Sequence, residues 1–289
     1  MKSVSLNTIL SLVKYKVSLA VTFTAITGYI VYTGSFDLQL LKLMLGVFLL
    51  AGGSGGLNEC QEHAIDAKMP RTMNRPIPSG LISLHHAWLV SVIFILTGIL
   101  VLYVSFGPIP AFLGIFNVVW YNLFYTTLKR ISAYAVVPGS LVGAVPVLIG
   151  WTAAGGFLFD STIVFIAFFL FIWQIPHFWL LMIKYSHEYQ QAGFPTINQS
   201  FNPDSLKKII FSWVLATSTF SLSIPLFVRN ISLIFFLVII ALNILFVLIF
   251  ATLSFGKISE LSFKKTFMSI NLYMFLFMVM LIIHHIIAF

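Results

Sequence analysis

Nine apolar stretches, most of them close to the length of a membrane-spanning helix, constrain the fold of this chain more than any other feature. They cover residues 17–33, 38–57, 87–106, 110–127, 131–154, 162–183, 209–228, 231–252 and 266–289. About 20 apolar residues in a helix cross the hydrocarbon core of a bilayer. The stretches lack the alternation of apolar and polar residues that strands of a membrane barrel require. The sequence therefore predicts an all-α polytopic membrane protein with nine transmembrane helices.

The composition points to the same fold class. Hydrophobic residues make up 60% of the 289 residues and charged residues only 8%, and the mean hydropathy is +1.02. A water-soluble globule of this size cannot bury so much apolar surface. We find no soluble domain, so residues 1–289 are predicted to form a single transmembrane domain. The lone cysteine, Cys60, excludes an intrachain disulfide.

The distribution of Lys and Arg predicts the orientation in the membrane. Fourteen of the 16 cations lie in the N-terminal segment or in loops on the same side, and only Lys42 and Arg229 lie opposite. Because cytoplasmic loops collect Lys and Arg, this predicts a cytoplasmic N-terminus. The net charge of +8 is then explained without a nucleic-acid partner. No signal or transit peptide is recognisable, which favours a bacterial inner membrane over the mitochondrial inner membrane.

Three oxygen-bearing side chains follow the second apolar stretch at helical spacing. If the helix continues past Leu57, then Asn58, Glu62 and Asp66 stand at i, i+4 and i+8. They would share an arc of about 80° and extend over roughly 12 Å, with Glu59 bordering them. Oxygen ligands of this kind suit Mg²⁺, which binds through one or two carboxylates plus substrate phosphates. A metal ion with a diphosphate is therefore a natural ligand for this stripe.

The cations that follow the stripe leave two interpretations open. Glu62 and Asp66 would pair with Lys68, Arg71 and Arg75 at the level of the lipid headgroups and bind nothing else. Alternatively, the chain turns back and places Arg71 and Arg75 over the stripe as forks that bind phosphate. The second interpretation is favoured by the residues that turn the chain here, which are Pro70, Pro76, Pro78 and Gly80.

A family resemblance rests on three blocks of the sequence. The acidic stripe, followed by Arg71-Thr72-x-x-Arg75-Pro76-x-Pro78-x-Gly80, resembles the aspartate-rich motif of the UbiA-type intramembrane prenyltransferases. Two further blocks resemble the branch of that family that farnesylates haem. They are Tyr125-Thr126-x-Leu128-Lys129-Arg130 with Gly143-Ala144-x-Pro146-x-x-x-Gly150-Trp151, and Trp173-Gln174-x-Pro176-His177-Phe178 through Tyr189 and Gly193-Phe194-Pro195. The acidic motif indicates the family more specifically than it indicates the substrate.

The resemblance implies an activity and a set of partners. The reaction would transfer a farnesyl group from farnesyl diphosphate to a vinyl carbon of haem b with addition of water, giving haem O and diphosphate for haem–copper oxidase biogenesis. Mg²⁺ would be the cofactor. Farnesyl diphosphate, haem b and membrane lipid would be the partners, together with a downstream haem A synthase or oxidase assembly factors.

The resemblance also implies roles for individual residues. The catalytic residues and metal ligands would be Asn58, Glu62, Asp66 and Glu188. The diphosphate would be bound by Arg71, Arg75, Tyr125, Lys129 and Arg130, and Tyr185 and Tyr189 are further candidates. Two positions depart from the commonest pattern, because Glu62 replaces a frequent Asp and His187-Glu188-Tyr189 replaces a basic residue, Asp and Tyr. Each Glu extends its carboxylate by one methylene, so the metal geometry should differ slightly.

His177 is the candidate for binding the acceptor. On a continuous sixth helix, His177, Lys184 and Glu188 would share one face. The imidazole would then ligate haem iron and Lys184 would meet a propionate. Alternatively, His177 is structural and donates a hydrogen bond to the backbone carbonyl freed by Pro176. The sequence leaves both interpretations open.

Three other functions compete with haem farnesylation. A related prenyltransferase would act on a small aromatic acceptor such as a hydroxybenzoate or a naphthoate. A transporter would also contain helices interrupted by Pro and Gly, but its polar residues would lie near the membrane midplane, whereas the acids here cluster near one membrane face. A third alternative is a cytochrome-assembly scaffold that only binds haem.

Overall fold

The computed structural model describes residues 5–228, 231–255 and 260–288, and every regular element within them is a helix. The all-α prediction is therefore confirmed for the described part of the chain. Three of the cations used to predict the orientation, Lys2, Arg229 and Lys257, lie outside the described residues. The helices are α1 Leu6–Leu12, α2 Tyr15–Thr33, α3 Leu38–Asp66, α4 Leu84–Phe106, α5 Pro108–Leu128, α6 Ala133–Ala153, α7 Ser161–Lys184, α8 Ser186–Gln191, α9 Pro203–Leu222, α10 Leu233–Phe255 and α11 Glu260–Ala288.

Seven of the described helices are long and apolar enough to cross a membrane, namely α3, α4, α5, α6, α7, α10 and α11. Helices α1 and α2 make an eighth span if the pair, bent by 57°, crosses as one unit. Helix α9 is 20 residues long but does not reach the same apolar character, because it begins with the polar sequence Pro203 to Lys208. The chain is thus a multi-pass membrane protein, while the count of nine spans and the side of the N-terminus stay predictions.

The long helices follow one another around a ring in chain order. Each helix from α2 to α7 packs on the next, α7 continues to α9, and α10 and α11 complete the circuit. The ring closes where α11 meets α2, with the rings of Phe23 and Phe275 5.3 Å apart. The buried apolar residues form two main clusters, one among α2 to α6 and the other among α6, α7 and α9 to α11. Helix α6 belongs to both clusters and joins the two halves.

Helices α2 and α6 touch each other across the interior of the ring, with their backbones in contact. A Cβ atom added to Gly28 would overlap the carbonyl oxygen of Val147, and one added to Gly150 would overlap that of Ala25. Small residues permit such close approach in membranes, where packing and not hydrophobicity drives helix association. This contact places Val21 and Ile149 in the wall of the central cavity.

Replacing Gly150 by Ala should destabilise the protein. The new methyl group would meet a backbone carbonyl, which cannot move without displacing α2, and overpacking of this kind costs about 1–3 kcal/mol. We expect a lower midpoint of thermal unfolding for Gly150→Ala in detergent. Gly46→Ala is the matched control, because the atoms nearest to its methyl group would belong to the side chains of Leu102 and Val101, which can adjust, and it should lower the midpoint less.

Two helix ends determine the geometry of the site. Helix α3 does continue past Leu57 and ends at Asp66, so the acidic stripe lies on one helix as the sequence predicts. Helix α7, in contrast, ends at Lys184, and Tyr185 with φ −106° and ψ 18° separates it from α8. The assumption of one continuous helix from His177 to Glu188 is therefore wrong.

Candidate active site

A cavity of about 360 Å³ lies between α2, α3, α5, α6 and α7. Its inner wall is apolar and includes Val21, Val47, Leu50 and Ile149. Its mouth lies at the ends of α3 and α5, beneath the loop 67–83, and is lined by charged side chains. The cavity thus joins a charged compartment to an apolar one.

The acidic stripe lies at this mouth. Asn58, Glu62 and Asp66 all line the cavity and are all buried in the protein. Asn58 Nδ2 donates a hydrogen bond to Glu62 Oε2 at 3.2 Å and another to Thr126 Oγ1 at 3.2 Å. Its Oδ1 accepts one from Lys14 Nζ at 3.1 Å. The amide therefore holds the first carboxylate in place.

Each carboxylate of the stripe has a cationic partner from another segment. Lys129 Nζ lies 2.7 Å from Glu62 Oε2, and Arg75 Nη1 lies 2.6 Å from Asp66 Oδ2. Burial lowers the pKa of Lys129, and the Glu62 carboxylate opposes that shift. These pairs stabilise buried carboxylates, which would be costly in an apolar bundle without a partner.

The loop after α3 folds back over the end of its own helix. Thr72 Oγ1 donates to the carbonyl oxygen of Asp66 at 2.9 Å, and the backbone N–H of Ile77 donates to Glu59 Oε1 at 3.0 Å. Gly80 takes a left-handed backbone conformation with φ 73°, which L side chains avoid. Both Arg71 and Arg75 consequently line the cavity, so the chain turns back as the second interpretation predicted. Arg75 also forms the ion pair with Asp66 that the first interpretation predicted, and phosphate binding by the two arginines stays a prediction.

Arg71 connects this loop to the segment after α7. Its backbone N–H donates to Glu188 Oε2 at 3.1 Å, and its Nη2 donates to the hydroxyl of Tyr189 at 3.1 Å. Its guanidinium also lies over the rings of Tyr185, at 4.9 Å, and Tyr189. Burial raises the pKa of Tyr189, which keeps this hydroxyl neutral.

Helix α5 changes to a π-helical turn over Trp120–Tyr125 as it reaches the mouth. Turns of this type are frequent at functional sites. The rings of Tyr121 and Tyr125 stack at 5.9 Å and both line the cavity, and Lys129 Nζ lies 5.4 Å from the centre of the Tyr125 ring. In the same turn Asn122 Nδ2 donates to the carbonyl oxygen of Ser54 at 3.0 Å, which fixes α5 against α3.

A match to one protein family covers most of the chain. The model of the UbiA prenyltransferase family matches residues 20–282. The chain belongs to the UbiA prenyltransferase family.

Several relatives of this prenyltransferase carry the name protoheme IX farnesyltransferase. The protein from Geobacter sulfurreducens is 39% identical over 59% of this chain, and the match spans 63% of that relative's length. The protein from Bdellovibrio bacteriovorus is 34% identical over 72% of this chain and 74% of the relative, and that from Nitratidesulfovibrio vulgaris is 33% identical over 75% of each.

Solved structures share the fold at low sequence identity. A digeranylgeranylglyceryl phosphate synthase aligns with a TM-score of 0.78 at 17% identity and covers 97% of this chain and 98% of its own. A UbiA homolog from Archaeoglobus fulgidus bound to GPP and Mg²⁺ aligns with a TM-score of 0.73 at 16% identity and covers 96% and 99%. This likeness shows that the bundle is a UbiA-type fold.

The prenyltransferase places some of the predicted site residues at the cavity and others away from it. Those that line it are Asn58, Glu62, Asp66, Arg71, Arg75, Tyr125, Lys129 and Tyr189. The cavity lining does not include Arg130, His177, Lys184, Tyr185 or Glu188. Arg130 Nη2 instead donates to the carbonyl oxygen of Gln61 at 2.8 Å. Glu188 contacts the backbone of Arg71, and the ammonium of Lys184 lies over the rings of Tyr185 and Phe263.

His177 lies among aromatic rings behind the cavity wall. Its imidazole is 5.0 Å from the ring of Trp173 and 5.1 Å from that of Phe267, measured between centroids. Its Nδ1 atom is buried without a hydrogen-bond partner. The hydrogen bond to a carbonyl freed by Pro176 is therefore not formed among the described residues. The structure leaves the imidazole without an assigned partner.

Lys14 is a site residue that the sequence argument used only for orientation. It is the one non-glycine residue among those described with a positive φ, at 47°, and it forms the bend between α1 and α2. The bend turns its side chain into the cavity beside Gly55 and Asn58. Strained backbone of this kind clusters at functional sites. In the sequence, the only signal is a Lys placed before the first apolar stretch.

The acidic stripe suits a divalent cation, although the described residues contain no group of three or more His, Cys, Asp or Glu that would hold a metal alone. Glu62 Oε1 is buried without a hydrogen-bond partner, so the protein itself does not compensate this carboxylate oxygen. Mg²⁺ commonly takes one or two carboxylates and completes its shell with substrate phosphates and water. Glu62 and Asp66 with the Asn58 amide fit that pattern.

Removing either carboxylate should abolish metal-dependent prenyl transfer without preventing folding. We expect Glu62→Gln and Asp66→Asn to lower kcat by at least about 10²-fold, because each neutral amide retains the shape of the side chain but loses its charge. Both variants should still insert into the membrane, but with a lower midpoint of thermal unfolding, because each leaves one cation of a buried pair without its partner. Normal turnover by both variants would contradict the metal assignment, and Asp204→Asn, on the exposed start of α9, serves as a control.

Lys14→Met should weaken binding of the diphosphate substrate. Methionine retains the length of the side chain but removes the cation and its hydrogen bond to Asn58. We expect KM for the prenyl diphosphate to rise about tenfold, in line with the loss of one charge-assisted hydrogen bond. Lys16→Met, two residues away, changes the same charge outside the cavity lining and should leave KM unaltered.

Proposed function

We propose that this chain transfers a farnesyl group from farnesyl diphosphate to a vinyl group of haem b, with addition of water, and releases haem O and diphosphate. The observation that carries the proposal is the mouth of the cavity, where four cations and two carboxylates meet above an apolar chamber. The names of the relatives from several bacteria support the choice of haem as acceptor. The product would serve the biogenesis of a haem–copper oxidase in the bacterial inner membrane.

The charged mouth would bind the diphosphate. Lys14, Arg71, Arg75 and Lys129 line it and exceed the lining carboxylates by two positive charges. Arginine forks bind phosphate oxygens in pairs, and the ammonium groups act as point charges. This excess suits an anion that carries Mg²⁺, because the ion would share the carboxylates with the substrate phosphates.

Ionisation of the allylic carbon–oxygen bond needs help at both ends. The cations of the mouth would stabilise the departing diphosphate at fixed positions, which is usually the largest contribution to catalysis. Bound Mg²⁺ would supply Lewis-acid neutralisation of charge on the phosphate oxygens. The stacked rings of Tyr121 and Tyr125 lie beside the mouth, where their faces would stabilise the allylic cation by about 0.5–2 kcal/mol for each well-placed ring.

The apolar chamber would hold the isoprenoid tail. Its volume of about 360 Å³ is near the lower limit for pockets that bind one drug-sized ligand, about 300–1,000 Å³. One prenyl chain therefore fills it, and haem must approach with only its vinyl edge inside. His177, next to this wall and with Nδ1 unpartnered, is our candidate for a haem contact, with Lys184 as a candidate for a propionate.

Direct product analysis tests donor, acceptor and cofactor together. Purified protein supplied with haem b, farnesyl diphosphate and Mg²⁺ should form farnesylated, hydrated haem, as judged by mass spectrometry. Chelation of Mg²⁺ with EDTA should stop the reaction, and added Mg²⁺ should restore it. Prenylation of 4-hydroxybenzoate or a naphthoate in place of haem would reassign the acceptor within the same family. The absence of any prenyl transfer would contradict the proposal.

His177→Leu should distinguish a haem contact from a packing role. Leucine fills a similar volume but cannot ligate iron. We expect haem binding, followed by its absorbance, to weaken about tenfold or more while farnesyl diphosphate binding changes little. Equal weakening of both ligands would indicate that His177 only packs against Trp173 and Phe267.

A further inference from the structure

Gln174 is a polar residue of α7 that the diphosphate chemistry does not use. It lies ten residues before the end of α7 at Lys184, or about 15 Å along the helix, and its side chain lines the cavity. Its amide makes no hydrogen bond to any described residue. An amide without a partner is costly in a membrane bundle, so its ligand must come from the cavity contents.

The position of this amide is set by a glycine on the neighbouring helix. A Cβ atom added to Gly143 of α6 would overlap Gln174 Oε1 and would lie 2.8 Å from Nε2. The amide group therefore lies against the backbone of α6. Any larger residue at position 143 would push it away, while the rest of α6 could remain in place because the end of a glutamine side chain is flexible.

The amide lies about one helical turn below the charged mouth. Phe178 follows one turn later on α7, and its ring lies 6.4 Å from that of Tyr125. Lys129, which pairs with Glu62, covers the same tyrosine ring. A prenyl chain whose diphosphate binds at the mouth would pass this level with its first carbons, the part of the donor that reacts.

Resting on the proposed function, we propose that Gln174 binds the water molecule that the reaction consumes. A neutral amide offers a donor and an acceptor but no charge, so it suits water better than a metal ion or a phosphate. Ordered water in protein interiors takes two to four polar partners, and the amide supplies two. The surrounding wall includes Pro146 and Phe178, whose side chains offer water no hydrogen bond.

The reaction consumes one water molecule for each farnesyl group that is transferred. The carbon–oxygen bond of the donor breaks and diphosphate leaves with the electron pair. The terminal vinyl carbon of haem forms a bond to the farnesyl carbon, and the positive charge moves to the vinyl carbon next to the porphyrin ring. The water oxygen then bonds to that carbon, and its proton passes to the released diphosphate. Without a positioned water, the same cation loses a proton from the adjacent carbon and gives an alkene that is lighter by one water.

A second amide on the cavity wall differs from Gln174 in the accessibility of its oxygen. Asn117 of α5 also lines the cavity, but its Oδ1 atom is enclosed by protein without a partner. This oxygen cannot accept a hydrogen bond from a molecule in the cavity unless the side chain rotates. The two amides therefore make a matched pair for substitution, and the proposal assigns the water to Gln174 alone.

Product partition tests the proposal in the full-length protein. With haem b, farnesyl diphosphate and Mg²⁺, we expect Gln174→Met to lower the ratio of hydrated product to alkene about tenfold, equivalent to about 1.4 kcal/mol, the scale of one hydrogen bond. The ratio is measured among product molecules, so a general loss of activity does not alter it. Labelling with H₂¹⁸O identifies water as the source of the new hydroxyl.

Two glycine variants provide an independent measurement if Gln174→Met fails to fold or to turn over. Gly143→Ala should displace the amide and lower the ratio in the same direction, whereas Gly46→Ala, outside the cavity lining, should leave it unaltered. An unchanged ratio in Gly143→Ala and Gln174→Met would overturn the proposal, as would a shift seen only in Asn117→Leu. Failure of the wild-type protein to farnesylate haem at all would instead contradict the proposed function.

Discussion

The structure depends on the neutralisation of carboxylates that are buried in an apolar helical bundle. Glu62 and Asp66 are enclosed by protein, and each is paired with a cation, Lys129 beyond the end of α5 and Arg75 in the loop after α3. Removing one partner of a buried pair leaves an uncompensated charge, which typically costs about 3–5 kcal/mol. Such pairs are weak contributors to net stability. Their presence is better explained by a ligand that would replace each partner of the pairs. An anion carrying Mg²⁺ would do so, because the anion would pair with the cations and the Mg²⁺ with the carboxylates.

The rest of the fold brings these charges together. Helix α3 carries the carboxylates, but their partners come from the loop after α3 and from the end of α5, and Lys14 enters from the bend before α2. The loop is anchored to α3 by Thr72 and by the contact of Ile77 with Glu59. The π-helical turn of α5 changes the direction of Tyr121 and Tyr125. A single apolar helix could not hold this arrangement alone.

The cavity is charged at its mouth and mostly apolar at its inner end, which explains how one site can bind both a water-soluble anion and an apolar chain. The charged groups are concentrated at the mouth, and the rest of the wall is mostly apolar, with the amides of Asn117 and Gln174 and the hydroxyls of Ser18 and Ser54 among its lining. In the proposed reaction, fixed charges would act on the diphosphate where it leaves, and the low dielectric of the bundle would strengthen their effect. The apolar wall would limit the access of bulk water to the allylic cation that remains. Water can then react only where a polar group holds it.

The sequence by itself determined the membrane class, the helical fold and the acidic stripe. These follow from local rules, because about 20 apolar residues must form a helix in lipid, and residues at i, i+4 and i+8 must share a face. It also indicated that Arg71 and Arg75 turn back towards the stripe. Only the tertiary structure decided the partners of each charge, the break at Tyr185 that separates Glu188 from α7, and the entry of Lys14 into the cavity. The contacts of Lys14 with Asn58 and of Glu188 with Arg71 join residues 44 and 117 positions apart, and no periodicity along the chain encodes which distant helices pack together.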